Sequence, residues 1–378
     1  MTLENEIKCE NLESQGKHKF LLNMGPQHPS THGVLRVVLE MDGEYVMGID
    51  PVIGYSHRMH EKIAEVRPAQ SFLPNTARMD YVCALPYNHG YVALIEKMAG
   101  IEVPERAEYI RVITVELNRL ASHLLWLGTF LLDLGAFTPI LYCFDDREHI
   151  LDILESLTGS RLTYSFHRVG GVYKDIDDDF IEKSREFMKR LEKRFDVYDR
   201  LVTGNVIFRN RTEGVGVVSS DMARRYGITG ANLRASGVSY DIRKAFPYSI
   251  YDKFDFEVPL GTKGDCLERY YVRINEMKQS MRILSQAFDM IPKGDIRAKV
   301  PRKLKIPKGQ SSFSVESARG ELCYYMVSDG SDVPYRLKVR VPSYGNLSAL
   351  AEICEGMLIA DLVAVMGSFD LVIPEIDR

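Results

Sequence analysis

The feature that most constrains this chain is an apolar stripe that follows Pro104. Ile110, Ile113, Leu117, Leu120, Leu124, Leu127, Leu131 and Leu134 recur with the period of one helix face. Pro104 suits a first helical turn, where its missing N–H costs nothing. The stripe predicts a helix of about 30 residues, roughly 45 Å long. Further helices are expected over "SHRMHEKIAEV", ending before Pro68, over "YVALIEKMAG", closed by Gly100, and over about 145–158, 177–200 and 264–290. Together they predict a helical bundle.

Both ends of the chain read differently. Residues 17–50 alternate apolar and polar side chains, and "GVLRVVLEMDGEYVMGID" reads as two strands joined at Asp42-Gly43. The segment from 311 alternates again in "SSFSVESARGELCYYMVSDG", and a short helix is expected near 347–366. "KGDIRAKVPRKLKIPKGQ", residues 293–310, is basic and interrupted by proline, which reads as an exposed excursion or a partner-contacting loop. The expected class is α+β, a central helical bundle flanked by β-rich N-terminal and C-terminal portions. The expected division is a flexible N-terminus (1–16), a β-rich N-terminal domain (17–66), a helical bundle (67–300) and a C-terminal β/α portion (301–378). Without an alternating βα series a doubly wound sheet is disfavoured. No GxGxxG or GxxxxGK[ST] string occurs, and "EGVGVV" at 213–218 lacks the third glycine, so nucleotide binding has little support.

Composition narrows the function classes. The 378 residues carry 48 basic and 52 acidic side chains, a net charge of −4, with no footprint for nucleic acid. No run of about 20 apolar residues is free of charge, so no bilayer-spanning segment is expected. The start, "MTLENEIKCENLESQGK", is too acidic for a signal or transit peptide, which points to a cytoplasm. Six cysteines, at 9, 83, 143, 266, 323 and 354, form no CxxC pair. A disulfide framework, or a metal or cluster site made only from this chain's cysteines, is therefore not expected.

Several segments hold residues that could carry chemistry. "MGPQHPSTHGVLR" (24–36) contains His28 and His32. Pro29 and Gly33 favour a loop over a helical metal-ligating pair, which leaves a rigid turn or a histidine held at the mouth of a cleft. Tyr81, in "ARMDYVC", reads by itself as a core amphiphile. Asp133 lies near the carboxyl end of the apolar helix, where burial and the negative end of the helix dipole both disfavour a carboxylate; it needs a cationic or hydrogen-bonding partner, or a polar layer. His57, Arg58, His60, Glu61 and Lys62 read as a solvated helix face, although Arg58 could set the potential of a nearby anionic group. "DDREH" (145–149) reads as a solvated helix start.

Taken together, "GPQHPSTHGVLR", "GYSHRMHEKIAE", "ARMDYV", "GIEVPERAEYIRVITVELNRLASHL", "LDLGAFTP", "DDREHILDILESLTGSRL", "RVGGV" and "GSFDLVIPEIDR" resemble the 49-kDa-subunit family of respiratory complex I, from about residue 20 to the last. That family shares its fold with the large subunit of [NiFe] hydrogenases. The resemblance implies the quinone-site component of a proton-pumping NADH–quinone oxidoreductase, inactive alone. It implies that His32 and Tyr81, with His28 nearby, bind the quinone headgroup, and that Asp133 pairs with His32. Arg58 is then expected beside a 4Fe-4S cluster held by a neighbouring subunit. The quinone, menaquinone or ubiquinone, is substrate, and NAD binds elsewhere in the complex. Implied partners are peripheral-arm subunits B, C and I and membrane subunits H and A, at the cytoplasmic face of a prokaryotic cell membrane.

Three departures bear on this expectation. Cys83 stands without a second cysteine nearby and "SFDLVIPEIDR" has none, so a hydrogenase role is excluded on ligand count. Thr163, in "TGSRLTYSFHR", stands where many members carry a histidine near the cluster, which implies a lower cluster potential and a low-potential quinone such as menaquinone. "PYNHGY" replaces a "CNEQAY"-like string, leaving Asn88 and His89 without a transferable role. The rival readings are a non-catalytic hydrogenase-like scaffold and the same component in a ferredoxin- or F420-linked machine.

Overall fold

The computed structural model describes residues 10–11, 19–27 and 33–378. His28, His32 and nearly all of the expected N-terminal tail therefore lie outside the described residues. Four antiparallel strands open the chain in simple sequence order: β1 (Glu10–Asn11), β2 (Lys19–Met24), β3 (Arg36–Asp42) and β4 (Tyr45–Val52). Val37, Leu39 and Met41 of β3 point inward at every second residue, as half-buried strands require. The β3–β4 turn is one residue later than expected, at Gly43-Glu44, with Gly43 at φ +61°. Glycine takes that conformation without a Cβ penalty.

Helices follow: α1 (His60–Ala64), α2 (Ala69–Thr76), α3 (Ala84–Ala99), α4 (Glu105–Asp133) and α5 (Phe137–Thr158). After the hairpin β5 (His167–Arg168) and β6 (Gly171–Val172) come α6 (Asp178–Tyr198), α7 (Val206–Thr212), α8 (Ser220–Tyr226), α9 (Ala231–Ala235), α10 (Ile242–Ala245) and α11 (Cys266–Met290). A three-stranded antiparallel sheet, β7 (Gly309–Ser317), β8 (Gly320–Ser328) and β9 (Arg336–Arg340), precedes α12 (Pro342–Ser348), α13 (Leu350–Cys354), α14 (Ile359–Phe369) and α15 (Ile373–Asp377). The architecture is α+β, and among the described residues no helix is long and apolar enough to cross a membrane.

The long helix runs as its stripe predicts, 29 residues, with Pro104 as N-cap rather than inside the first turn. Other expectations need correction. The helix expected from 145 begins at Phe137, so Asp145–His149 lie mid-helix. Asp146 is buried, not solvated: it accepts from Arg194 Nε at 2.8 Å and from the Tyr198 hydroxyl at 2.8 Å, clamping α5 to α6. The charged run at 57–62 is solvated only in part: His57, Arg58 and Lys62 are exposed, but two of its members are not. His60 is buried, and Glu61 accepts from the Val339 N–H at 3.0 Å, tying α1 to β9. The single helix expected near 347–366 is broken into α13 and α14, and α7 to α10 are too short to leave a readable period.

Two apolar clusters organise the molecule. One packs α2 to α6 and α11 against β7–β9; the other packs β2–β4 against α8, α9, α13, α14 and the C-terminal segment. Within the first lies a buried lattice of charge. Glu116 of α4 accepts from Arg119 Nε at 3.1 Å, Arg243 Nη1 at 3.2 Å, the Tyr251 hydroxyl at 2.6 Å and Ser280 Oγ at 2.6 Å. Arg243 also binds Asp241 at 2.7 Å, and Arg234 binds Glu276 at 2.6 Å and Glu316 at 2.9 Å. Burial alone would raise the Glu116 pKa, but the Arg119 and Arg243 guanidiniums hold it below the usual carboxylate range.

Glu116→Ala takes a carboxylate partner from two buried guanidiniums and should cost about 3–5 kcal/mol, read as a lower urea midpoint. An unchanged midpoint would remove the lattice from the stability argument. His60 supplies a second expectation. Burial, then the charges of Arg58, His57 and Arg78, push its pKa down from 6.5 to about 4. The native state thus binds fewer protons than the unfolded one between those values. Its stabilising contribution is present above pH 6.5 and lost as pH falls toward 4. The pH dependence of unfolding across that window should flatten in His60→Leu.

Candidate functional site

Tyr81 sits in the loop between α2 and α3 and keeps 36% of its surface open, while Asp80, Val82 and Cys83 around it are buried. The loop backbone is held from both sides. Asp80 Oδ1 accepts from the N–H groups of Val82 and Cys83, each at 3.0 Å, and Asn118 of α4 donates to the Val82 carbonyl at 3.1 Å. Asn118 Oδ1 also accepts from the Leu85 N–H at 3.0 Å, fixing the start of α3.

Asp80 belongs to a charged triad. Its Oδ2 lies 3.0 Å from Arg319 Nη1, and Arg319 Nη2 lies 3.3 Å from Asp370 Oδ1. Arg319 also donates to Ser122 Oγ of α4 at 3.0 Å. One guanidinium, at the β7–β8 turn, thereby joins the Tyr81 loop, the long helix and the C-terminal segment. Burial, then the Asp80 charge, raises the Tyr81 pKa, with Arg319 and Arg58 pulling the other way. The phenol therefore stays protonated at neutral pH and is a hydrogen-bond donor.

The C-terminal segment orders the remaining pieces. Glu375 accepts from the Ser343 N–H at 2.8 Å and from the Tyr87 hydroxyl, and burial pushes its pKa up to about 7. Asp377 accepts from the N–H groups of Gly54 at 2.8 Å and Ser56 at 2.7 Å, and its carbonyl oxygen lies 2.6 Å from His57 Nδ1. These contacts fix the loop that presents Arg58, which is exposed and has no ion pair among the described residues. Gly33, where the described chain resumes after the His32 segment, stands against Ile373: a Cβ there would meet Ile373 Cγ1 at 3.5 Å.

Asp133 is the last residue of α4 and is half-buried. Eleven residues separate it from Ser122, about 16 Å along the helix axis. Thr163 lies in the bend after α5 with φ +50°, a conformation that costs a β-branched residue about 1–3 kcal/mol. Asn88 and His89 have interior roles. Asn88 donates to Thr76 Oγ1 at 2.8 Å and accepts from the Phe166 N–H at 3.3 Å, while the His89 ring stands edge-on to His167 at 5.5 Å. Asp80, Arg319, Asp370 and Glu375 escaped the sequence reading. Asp80 was visible beside Tyr81, but nothing in the local pattern near 319 or 370 pairs those residues with it.

The family model for the respiratory-chain NADH dehydrogenase 49 kDa subunit matches residues 133–304 and 298–378. Curated relatives, each named as the D subunit of an NADH-quinone oxidoreductase, are similar over nearly the whole chain. The protein of Syntrophobacter fumaroxidans is 58% identical over 360 residues, 95% of this chain and 96% of its own length. That of Desulfotalea psychrophila is 55% identical, covering 95% and 97%. That of Clostridium beijerinckii is 49% identical with the same coverage. The chain therefore belongs to the 49 kDa subunit family of respiratory-chain NADH dehydrogenase, as one component of a multisubunit NADH–quinone oxidoreductase.

Proposed function

We propose that this chain forms one wall of the quinone headgroup pocket, with the Tyr81 hydroxyl and the His32 imidazole donating to the two carbonyl oxygens of the ring. The observation that carries this reading is the Tyr81 loop: a protonated, partly open phenol on backbone locked by Asp80, Asn118 and Arg319. Reducing a quinone to a quinol takes two electrons and two protons, so negative charge grows on those oxygens. Donors fixed in advance stabilise such charge without reorganising.

Asp133 is the counter-ion of His32 in this reading. A half-buried carboxylate at a helix C-terminus is disfavoured by the dipole, and an imidazolium relieves that cost. Once His32 gives up its proton, Asp133 loses its cation, and that change of charge is what the complex would convert into proton pumping. Residues 17–66 supply the His32 loop, 67–300 the bundle, and 301–378 the segment that closes the pocket.

The opposite wall belongs to a small neighbouring subunit holding a 4Fe-4S cluster, which supplies electrons one at a time. Arg58, an exposed cation without an ion pair among the described residues, fits beside such an anionic centre. Leu132, Phe137, Leu141 and Phe144 form an exposed apolar face next to Asp133, suited to docking on the membrane subunits H and A at the cytoplasmic face. Subunits B, C and I complete the peripheral arm, and NAD binds outside this chain.

In the assembled complex, Tyr81→Phe and His32→Ala should each lower quinone reductase activity on the order of a hundredfold with subunit content unchanged. A scaffold would keep full activity in both variants. Thr163 in place of a protonatable neighbour implies a low cluster midpoint potential with weak pH dependence, and menaquinone as substrate. A redox titration followed by electron paramagnetic resonance should show this, and Thr163→His should raise the midpoint and steepen its slope with pH. A high, strongly pH-dependent midpoint in the unaltered complex would refute the assignment.

A further inference from the structure

Residues 293–310 hold seven cations, Lys293, Arg297, Lys299, Arg302, Lys303, Lys305 and Lys308, against one acid, Asp295, in a chain whose net charge is −4. The segment does not wander. Ala298 N–H donates to the Gly170 carbonyl at 2.8 Å, Val172 N–H donates to the Ile296 carbonyl at 3.1 Å, and Ile306 is buried. Gly171 permits this approach, since a Cβ there would stand 2.1 Å from the Ile296 carbonyl oxygen.

The pinned segment closes one side of an open cavity of about 780 Å³, lined by Gln70, Tyr91, Arg168, Arg297, Lys299 and Arg302. Among the described residues none of these four cations has an ion pair, whereas Arg161 and Arg106 on other faces are matched by acids. Arg161 faces Asp152 at 2.6 Å and Glu155 at 2.7 Å, and Arg106 faces Asp175 at 2.9 Å. Arg168 is half-buried, and after burial the charge of Arg297 is what most disfavours its own. Like charges gathered around a concavity repel one another, and an entering anion relieves that repulsion.

We infer that this basic cavity is a docking site for a carboxylate-rich segment of a neighbouring subunit of the same oxidoreductase. The cavity is concave, and Arg168 lines its wall half-buried, a shape that a protein segment fills more fully than a flat bilayer of anionic lipid does. Its volume exceeds that of a single phosphate, while several side chains of a protein segment would occupy it. The inference is independent of the quinone assignment and needs only that the chain works inside a multisubunit assembly.

The test uses the intact complex. Zero-length carbodiimide coupling followed by peptide mass spectrometry should join Lys299 to an aspartate or glutamate of another subunit. Acetylation of Lys299 should fall at least about tenfold below that of Lys189, an exposed lysine on α6. The K299E/R302E pair should lower recovery of assembled complex severalfold, K299Q less so, and the control pair K189E/K193E not at all. The inference is overturned if Lys299 labels as freely as Lys189, or couples only within its own chain. It is equally overturned if Lys299 becomes protected only on adding inorganic phosphate or phosphatidylglycerol vesicles.

Discussion

The buried lattice of guanidiniums and carboxylates is what the rest of the structure depends on. Glu116, Arg119, Arg234, Asp241, Arg243, Glu276 and Glu316 come from α4, α9, the start of α10, α11 and β7, and all are shut away from water. Apolar packing alone would let these elements slide along one another, because dispersion has no direction. Charged hydrogen bonds do not, since a buried guanidinium must keep its partners or suffer a large desolvation cost. The lattice therefore sets the register of the long helix against β7. Four carboxylates face three guanidiniums there, with His123 Nε2 3.2 Å from Glu276. Burial accordingly pushes Glu316 up to about 7, despite Arg234 beside it.

That register is passed on to the site. Arg119 donates to the carbonyls of Ser317 and Glu316, each at 2.7 Å, which places the turn holding Arg319. Arg319 then reaches Asp80, Ser122 and Asp370, and so settles how the Tyr81 loop, between α2 and α3, sits against α4. From α11, Arg273 donates to the Ser368 carbonyl at 2.8 Å and Arg269 to Ser368 Oγ at 2.9 Å, while Trp126 of α4 donates to the Gly367 carbonyl at 2.8 Å. The C-terminal segment is thus an interior strut, from which Asp377 carries order out to the Arg58 loop.

Much of this was legible in the chain itself. Periodicity located α4, the ranges expected for α6 and α11 hold to within a few residues, and alternation located β3, β4, β7 and β8, because an amphipathic element repeats its pattern along its length. The motif strings brought out Tyr81, Arg58, His32 and Asp133 through a family resemblance, and the similarity to known relatives bears out that family. What escaped was short or long-range. The helices α7 to α10 complete too few turns to show a period, and the "DDREH" run looked solvated because a charged string does not reveal that Arg194 and Tyr198 wait on another helix.

By itself, the sequence determined the long helices, the main strands near the two ends and the family, since these depend on local pattern and on strings of neighbouring residues. Only the tertiary structure decided that Asp80, Arg319 and Asp370 form one unit, that Glu375 and Asp377 are internal braces, and that Arg168 shares one cavity with three cations of the 293–310 segment. Those facts depend on residues as many as 323 positions apart (Gly54 and Asp377) meeting in space. Which acid meets which base is chosen by the packing of the whole chain, through the cost of burying any charge left alone.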